Sequence, residues 1–230
     1  MKKLSVLPIF LVLLLCQKPA FTQTAPLESK FQSWNEIQLI LPLVRGKDKK
    51  GKAFDRITAT FGGIVRIGRE NLDLIDNRIS TTLDFRVNKY FSLMTSVLYR
   101  KDELVKNRHN YETRVDFGFV VSKTVRKMSF KDRNEYEHRF RNSRLDTNLY
   151  RNRLQVSYPL TYKKKELFSP FISEEGYFDL KTHKWVQNEF FAGISRKLTS
   201  KITLELAYIR NDSAPVNVNG FSTNLKIRLR

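Results

Sequence analysis

Apolar and polar side chains trade places at every second position of this chain from about residue 34 onward. Between Arg78 and Val87 the odd positions hold Ile79, Thr81, Leu83, Phe85 and Val87, and the even ones hold Arg78, Ser80, Thr82, Asp84 and Arg86. Near the C-terminus, Phe221, Leu225, Ile227 and Leu229 share a face, and Lys226 and Arg228 lie on the other. A period of two belongs to the β-strand. The pattern marks out eleven segments, at about 34–44, 54–67, 77–88, 90–101, 109–123, 125–139, 146–160, 168–179, 185–198, 200–210 and 218–230. Tight connections are expected at Asn88-Lys89, Lys123-Thr124 and Thr199-Ser200, and longer charged ones at 45–53, 68–76, 102–108, 140–145, 180–184 and 211–217. Long alternating segments joined in this way predict an all-β fold, an antiparallel transmembrane up-and-down β-barrel. Single-chain bacterial barrels have even strand numbers, so eleven segments imply twelve strands, with ten as the alternative. Gly62-Gly63, inside a segment, reads as a bulge or kink that helps the sheet curl.

The first residues follow another pattern. Lys2 and Lys3 precede an apolar run from Leu4 to Leu15, and small or polar residues follow it. That is a secretory signal peptide, placed at 1–22, with the barrel at 23–230. The run is too short to span a membrane as a helix. Cys16 sits where a lipoprotein cysteine would, but Leu15 before it is not the small residue expected there. If Cys16 leaves with the signal, the mature chain of about 205 residues has no thiol for a disulfide, a metal site or catalysis. Export and a barrel together imply the outer membrane of a Gram-negative bacterium.

Net charge of +19 and a pI of about 10.1 suggest a polyanionic partner. Export argues against nucleic acid. The basic residues fall instead in loops (Lys47, Lys49, Lys50 and Lys52; Lys163 to Lys165) and on one strand face. The expected partners are outer-membrane lipid, through its anionic groups, and the barrel-assembly machinery during insertion. The pattern carries no information on oligomeric state.

Aromatic residues collect near segment ends, among them Trp34, Tyr90, Tyr99, Tyr111, Tyr158, Tyr177, Trp185 and Tyr208, as interfacial girdles require. The opposite face gathers charge. An arginine or lysine facing lipid at the midplane costs about 2–4 kcal/mol, so these residues are expected to line the lumen: Arg78, Arg86, Glu112, Arg114, Asp116, Arg133, Glu135, Glu137, Arg151, Arg153, Glu175 and Glu189. Parity adds Arg56, Arg66, Arg100 and Arg139. Cross-strand arginine–carboxylate pairs either plug the lumen or line a narrow positive pore.

No metal or cofactor motif is present: no HExxH, no CxxC, no acidic calcium loop, no phosphate-binding glycine loop. The histidines are His109, His138 and His183. No serine stands out as a partner for any of them, so no catalytic residue is assigned.

Three stretches carry a family resemblance: Arg151-Asn152-Arg153-Leu154-Gln155-Val156-Ser157-Tyr158-Pro159-Leu160, Ser169 to Asp179, and Asn188-Glu189-Phe190-Phe191-Ala192-Gly193. With Trp34 and Arg133-Asn134-Glu135-Tyr136-Glu137-His138-Arg139, they resemble the bacterial barrel family known as domain-of-unknown-function family twenty-four-ninety. A basic residue is common in that family where this chain has Glu189, and barrels usually end on an aromatic residue where this one has Leu229-Arg230. The resemblance implies fold and location but no activity. The expectation is a non-enzymatic outer-membrane barrel, a narrow porin-like channel for small anionic solutes. The alternatives are a closed structural barrel, or a barrel enzyme acting on outer-membrane lipid.

Overall fold

The computed structural model describes residues 29–48, 51, 53–68, 73–105, 108–163, 165–213 and 216–229. The signal peptide and Cys16 lie outside the described residues, as do Lys49, Lys50, Lys52 and Lys164. Every regular element among the described residues is a strand: β1 (Ser29–Lys47), β2 (Ala53–Gly68), β3 (Asp73–Arg86), β4 (Phe91–Val105), β5 (Arg108–Val125), β6 (Met128–Arg141), β7 (Thr147–Ser157), β8 (Leu160–Tyr162), β9 (Lys165–Asp179), β10 (Lys184–Lys197), β11 (Ile202–Ser213) and β12 (Val216–Arg228). That makes twelve strands in a single sheet, an all-β barrel as the alternation requires.

Eleven of the twelve form the closed ring, and they correspond to the eleven alternating segments. The short β8 stands outside it and pairs only with β9. In a meander, neighbours in sequence run antiparallel, so an odd ring brings its first and last strands together parallel. β1 and β12 do pair parallel, from Ser29↔Asn217 to Ile40↔Arg228. Closure thus needs no even ring: the eleven segments form it, and β8 brings the strands to the expected twelve. The backbones come close at this seam: a Cβ on Gly220 would lie 1.8 Å from the Gln32 carbonyl oxygen.

The connections differ from those read off the sequence. The charged stretches 68–76 and 102–108 are largely strand, because β3 begins at Asp73 and β4 runs to Val105. A bilayer needs only about 9–11 residues of a tilted strand, so strands of 14–19 residues such as β1, β5 and β6 extend beyond that span. The turn expected at Lys123-Thr124 lies at Arg126-Lys127, where Arg126 adopts φ 57°. Side chains fasten other turns. Asn88 Oδ1 accepts from the Tyr90 and Phe91 amides, and Thr199 Oγ1 from those of Lys201 and Ile202. These turns share one rim with the end of β12, called here the lower rim. β1 begins at the upper rim. Gly62-Gly63 is not a bulge, since both pair in register with β1 and β3. Register shifts fall instead at Pro42–Arg45 and Arg66/Ile67.

Outward positions on β2–β5 are apolar and exposed, for example Phe61, Ile79, Val97 and Phe117. Trp34 and Tyr177, expected in the girdles, instead point inward and are buried. Arg56 is exposed, with its guanidinium over the Phe85 ring at 5.6 Å.

Gly220→Ala should lower barrel stability by about 1–3 kcal/mol, the usual cost of overpacking. Gly63→Ala should change little, because nothing lies within 4 Å of its Cβ position. The midpoint of heat-induced loss of the compact form in gels, compared between the two variants, checks this.

Candidate functional site

Strand parity delivers charges from six successive ring strands to the same interior. On β3 and β4, Asp76 accepts from Arg78 at 2.8 Å and pairs with Arg100 Nε at 2.7 Å, while Arg100 also reaches Asp102 at 2.9 Å. On β5, Glu112 takes Arg114 at 2.6 Å and the β6 residue Arg141 at 2.6 Å. On β6, Glu137 accepts from Arg139 on its own strand and from Arg151 of β7 at 2.6 Å, and Arg114 lies 3.6 Å away. On β9, Glu175 accepts from Arg151 at 2.7 Å and Arg133 at 3.0 Å, and pairs with Arg153 at 2.8 Å. With Arg100 3.8 Å from Glu112, links shorter than 4 Å run without a break from β3 to β9.

Burial shows where this network fills the barrel. Glu137 and Glu175 are 0 % exposed, and Asp76 and Asp102 are 2 % exposed. Tyr177 sits within it, level with Arg151, whose guanidinium lies 4.8 Å from its ring centroid. Ile209, Leu149 and Val218 are buried beside it. Charge inside a barrel loses its water and is compensated by guanidinium–carboxylate bonds, so the acids of this network each touch at least one arginine, while Asp116 holds the Ser96 hydroxyl at 2.5 Å and Glu189 accepts from Gln187. The arrangement is a plug of paired charges in the upper and middle part of the barrel.

Below the plug is a cavity of about 500 Å³. Arg78, Arg114, Arg133, Arg151, Arg153, Glu175 and Glu189 border it from above, and Lys131, Asp84 and Lys226 lie toward the lower rim. Arg66 stacks on Trp34 at 3.3 Å in its wall, and Arg153 stands over Phe191 at 5.0 Å. Eight cations and five carboxylates line it, counting Glu36 and Glu205.

The residues singled out by parity divide accordingly. Seven border the cavity as just described. Glu112, Asp116, Glu135 and Glu137 are buried away from it, within the charge network or beside it. Arg86 sits at the lower rim, where it donates to the Asn88 carbonyl at 3.3 Å and stands over Phe54. Glu189 is buried and accepts from Gln187 at 2.8 Å. Sequence reasoning missed Asp76, Asp102 and Arg141, which fall in stretches read as loops, and Trp34 and Tyr177. Carrying the alternation one or two residues past each segment end would have found the first three. His109 is exposed, His183 occupies a turn at φ 53°, and His138 faces outward. No group of metal-binding side chains occurs among the described residues.

Residues 31–218 match the model of a family described as Protein of unknown function (DUF2490). No curated protein sequence matches the chain. Among solved structures, LpxR from Salmonella typhimurium is similar with a TM-score of 0.49 at 10% identity, over 81% of this chain and 86% of that one. An anion-selective porin from Comamonas acidovorans is similar with a TM-score of 0.35 at 11% identity, over 78% of this chain and 58% of that one.

Removing one acid from the plug strands several arginines. Glu175→Gln should cost about 3–5 kcal/mol, the loss expected when a buried pair is broken. Glu166→Gln, which loses the exposed ion pair to Lys197 at 3.5 Å and keeps an amide oxygen to accept from Ser169, should stay within about 1 kcal/mol. Thermal unfolding of the two variants followed by circular dichroism measures the difference.

Proposed function

We propose that this chain, which belongs to the DUF2490 family of proteins of unknown function, is an integral outer-membrane barrel with a closed lumen and a structural rather than conducting role. The observation that carries this is the complete burial of Glu137 and Glu175 among five arginines, Arg114, Arg133, Arg139, Arg151 and Arg153. A solute crossing the barrel has to break several such pairs at once. Membrane residence is supported by the apolar outward wall and the closed ring, which leaves no unpaired strand edge to satisfy in lipid. Export rests on the charged and apolar pattern of residues 1–22. Lipid and the assembly machinery are the partners this setting supplies.

A second reading has its own support. The cavity below the plug carries more cations than carboxylates, and rings of basic side chains favour anions. If the plug opens, the path is a narrow one for small anionic solutes.

Planar bilayers separate the two. Wild-type protein should insert without steady conductance, and Arg151→Gln with Arg153→Gln should lower heat stability because Glu175 loses two of its three arginines. Stable anion-selective current through the wild type, weakened in the double variant with no loss of heat stability, would replace the closed reading with the channel. Fractionation tests the location: the mature protein, shortened by about 22 residues, should be recovered with the outer membrane.

A further inference from the structure

The outer wall departs from its apolar rule over a continuous stretch of two neighbouring strands, and beyond them Asn188 of β10 donates to Glu174 of β9 on the same outer face at 3.0 Å. Outward positions of β5 are apolar, with Phe117 and Phe119 well exposed. Their register partners on β6 are Tyr136 and Asn134, flanked by His138 and Asp132 on the same face. Across the next ladder these meet Asn148, Tyr150 and Asn152 of β7, in the pairs His138↔Asn148, Tyr136↔Tyr150 and Asn134↔Asn152.

The seven side chains bind one another in two groups. Asn152 Nδ2 donates to Asp132 at 2.7 Å and to Asn134 Oδ1 at 3.0 Å, and Asn134 Nδ2 donates to Asp132 at 3.2 Å. Tyr150 donates its hydroxyl to Asn134 Oδ1. Higher up, Tyr136 donates to Asn148 Oδ1 at 2.7 Å, and His138 Nδ1 lies against the same oxygen. The result is a polar seam from near the start of β6 to near its end.

We propose that this β6–β7 wall is the contact between two copies of the chain, related by a two-fold axis parallel to the barrel axis. The inference rests on the membrane reading above. Acyl chains offer no hydrogen bonds, and headgroups reach only the two ends of a spanning strand. A seam that is polar along its length is therefore matched by a protein surface with donors and acceptors at the same depths. A two-fold axis along the barrel sets side chains of equal height opposite each other. Asn and Tyr each donate and accept, so each meets its own kind without mismatch. Five of the seven residues are Asn or Tyr. Asp132, which repels its own copy, lies at the lower end, where the Asn134 and Asn152 amides already hold its carboxylate. Exposed Phe117 and Phe119 border the seam and supply apolar area to the same contact.

The test uses purified protein in vesicles of phosphatidylethanolamine and phosphatidylglycerol, with cysteine introduced at one wall or the other. The wild type, whose one cysteine is Cys16, serves as the blank. Oxidation of Asn152→Cys should yield a species of doubled mass. Leu39→Cys, outward and exposed on β1, should stay single. Asn134→Leu with Asn152→Leu should at least halve the dimer fraction measured by light scattering in detergent, while the heat-modifiable gel shift of the closed barrel persists. Wild-type protein that is membrane-embedded yet monomeric at every protein-to-lipid ratio overturns this inference alone. Equal cross-linking from positions 39 and 152 overturns it as well. Absence of the protein from the membrane fraction defeats the membrane reading instead.

Discussion

A guanidinium group inside a closed barrel needs a carboxylate, and most of this structure depends on meeting that need. The interior receives arginines from β3, β4, β5, β6 and β7, and acids from β3, β4, β5, β6 and β9 stand within reach. Register decides whether they meet. Glu135 pairs with Arg151 across the ladder and Arg153 with Glu175, so the strand alignment that closes the sheet also aligns the charges. A slip of one residue would turn Arg133, Glu135 and Glu137 to the outer wall and bring Asn134 and Tyr136 inside. The network thus selects one register among those the alternation alone would allow.

Its energetic role is different from that of an apolar core. Desolvating each ion costs several kcal/mol, and the pairing returns roughly that much. The network therefore adds little to stability as a whole but penalises any arrangement that leaves one member unpaired. Stability comes from the ladder bonds around a ring with no free edge, closed by the parallel β1–β12 seam. An odd ring works because hydrogen bonding along a parallel pair is only slightly weaker than along an antiparallel one, and because glycine at position 220 lets the two backbones approach.

The plug and the cavity below it divide the interior by depth. Upper and middle levels are filled by arginine, acid and Tyr177, and the lower level holds water-sized space between Lys131, Asp84, Glu205 and Lys226. The outer wall is divided around the ring instead: largely apolar on β2–β5, and polar on β6 and β7, with Glu174 and Asn188 continuing the polar part on β9 and β10. β6 thus carries polar residues on both faces along much of its length.

The period of two determined by itself that the chain forms strands, where the eleven long segments lie, and which face most side chains take. That information is local, because neighbouring side chains on a strand necessarily point opposite ways. The arginines and acids of the interior were legible for the same reason. Strand ends were not. Asp76 and Asp102 look like loop residues because they are charged and lie past the apolar run, yet the ladder continues through them once Arg78 and Arg100 are there to pair with. Nor did the sequence distinguish Trp34 and Tyr177 from girdle aromatics. Both face inward because they share strand parity with Glu36 and Glu175, and there guanidinium groups from Arg66 and Arg151 stack on their rings. The parallel closure, the filling of the upper lumen and the joining of Asp132, Asn134, Asn148 and Asn152 into one seam were decided by tertiary structure. Each depends on which strand lies beside which and in what register, and no single segment contains that.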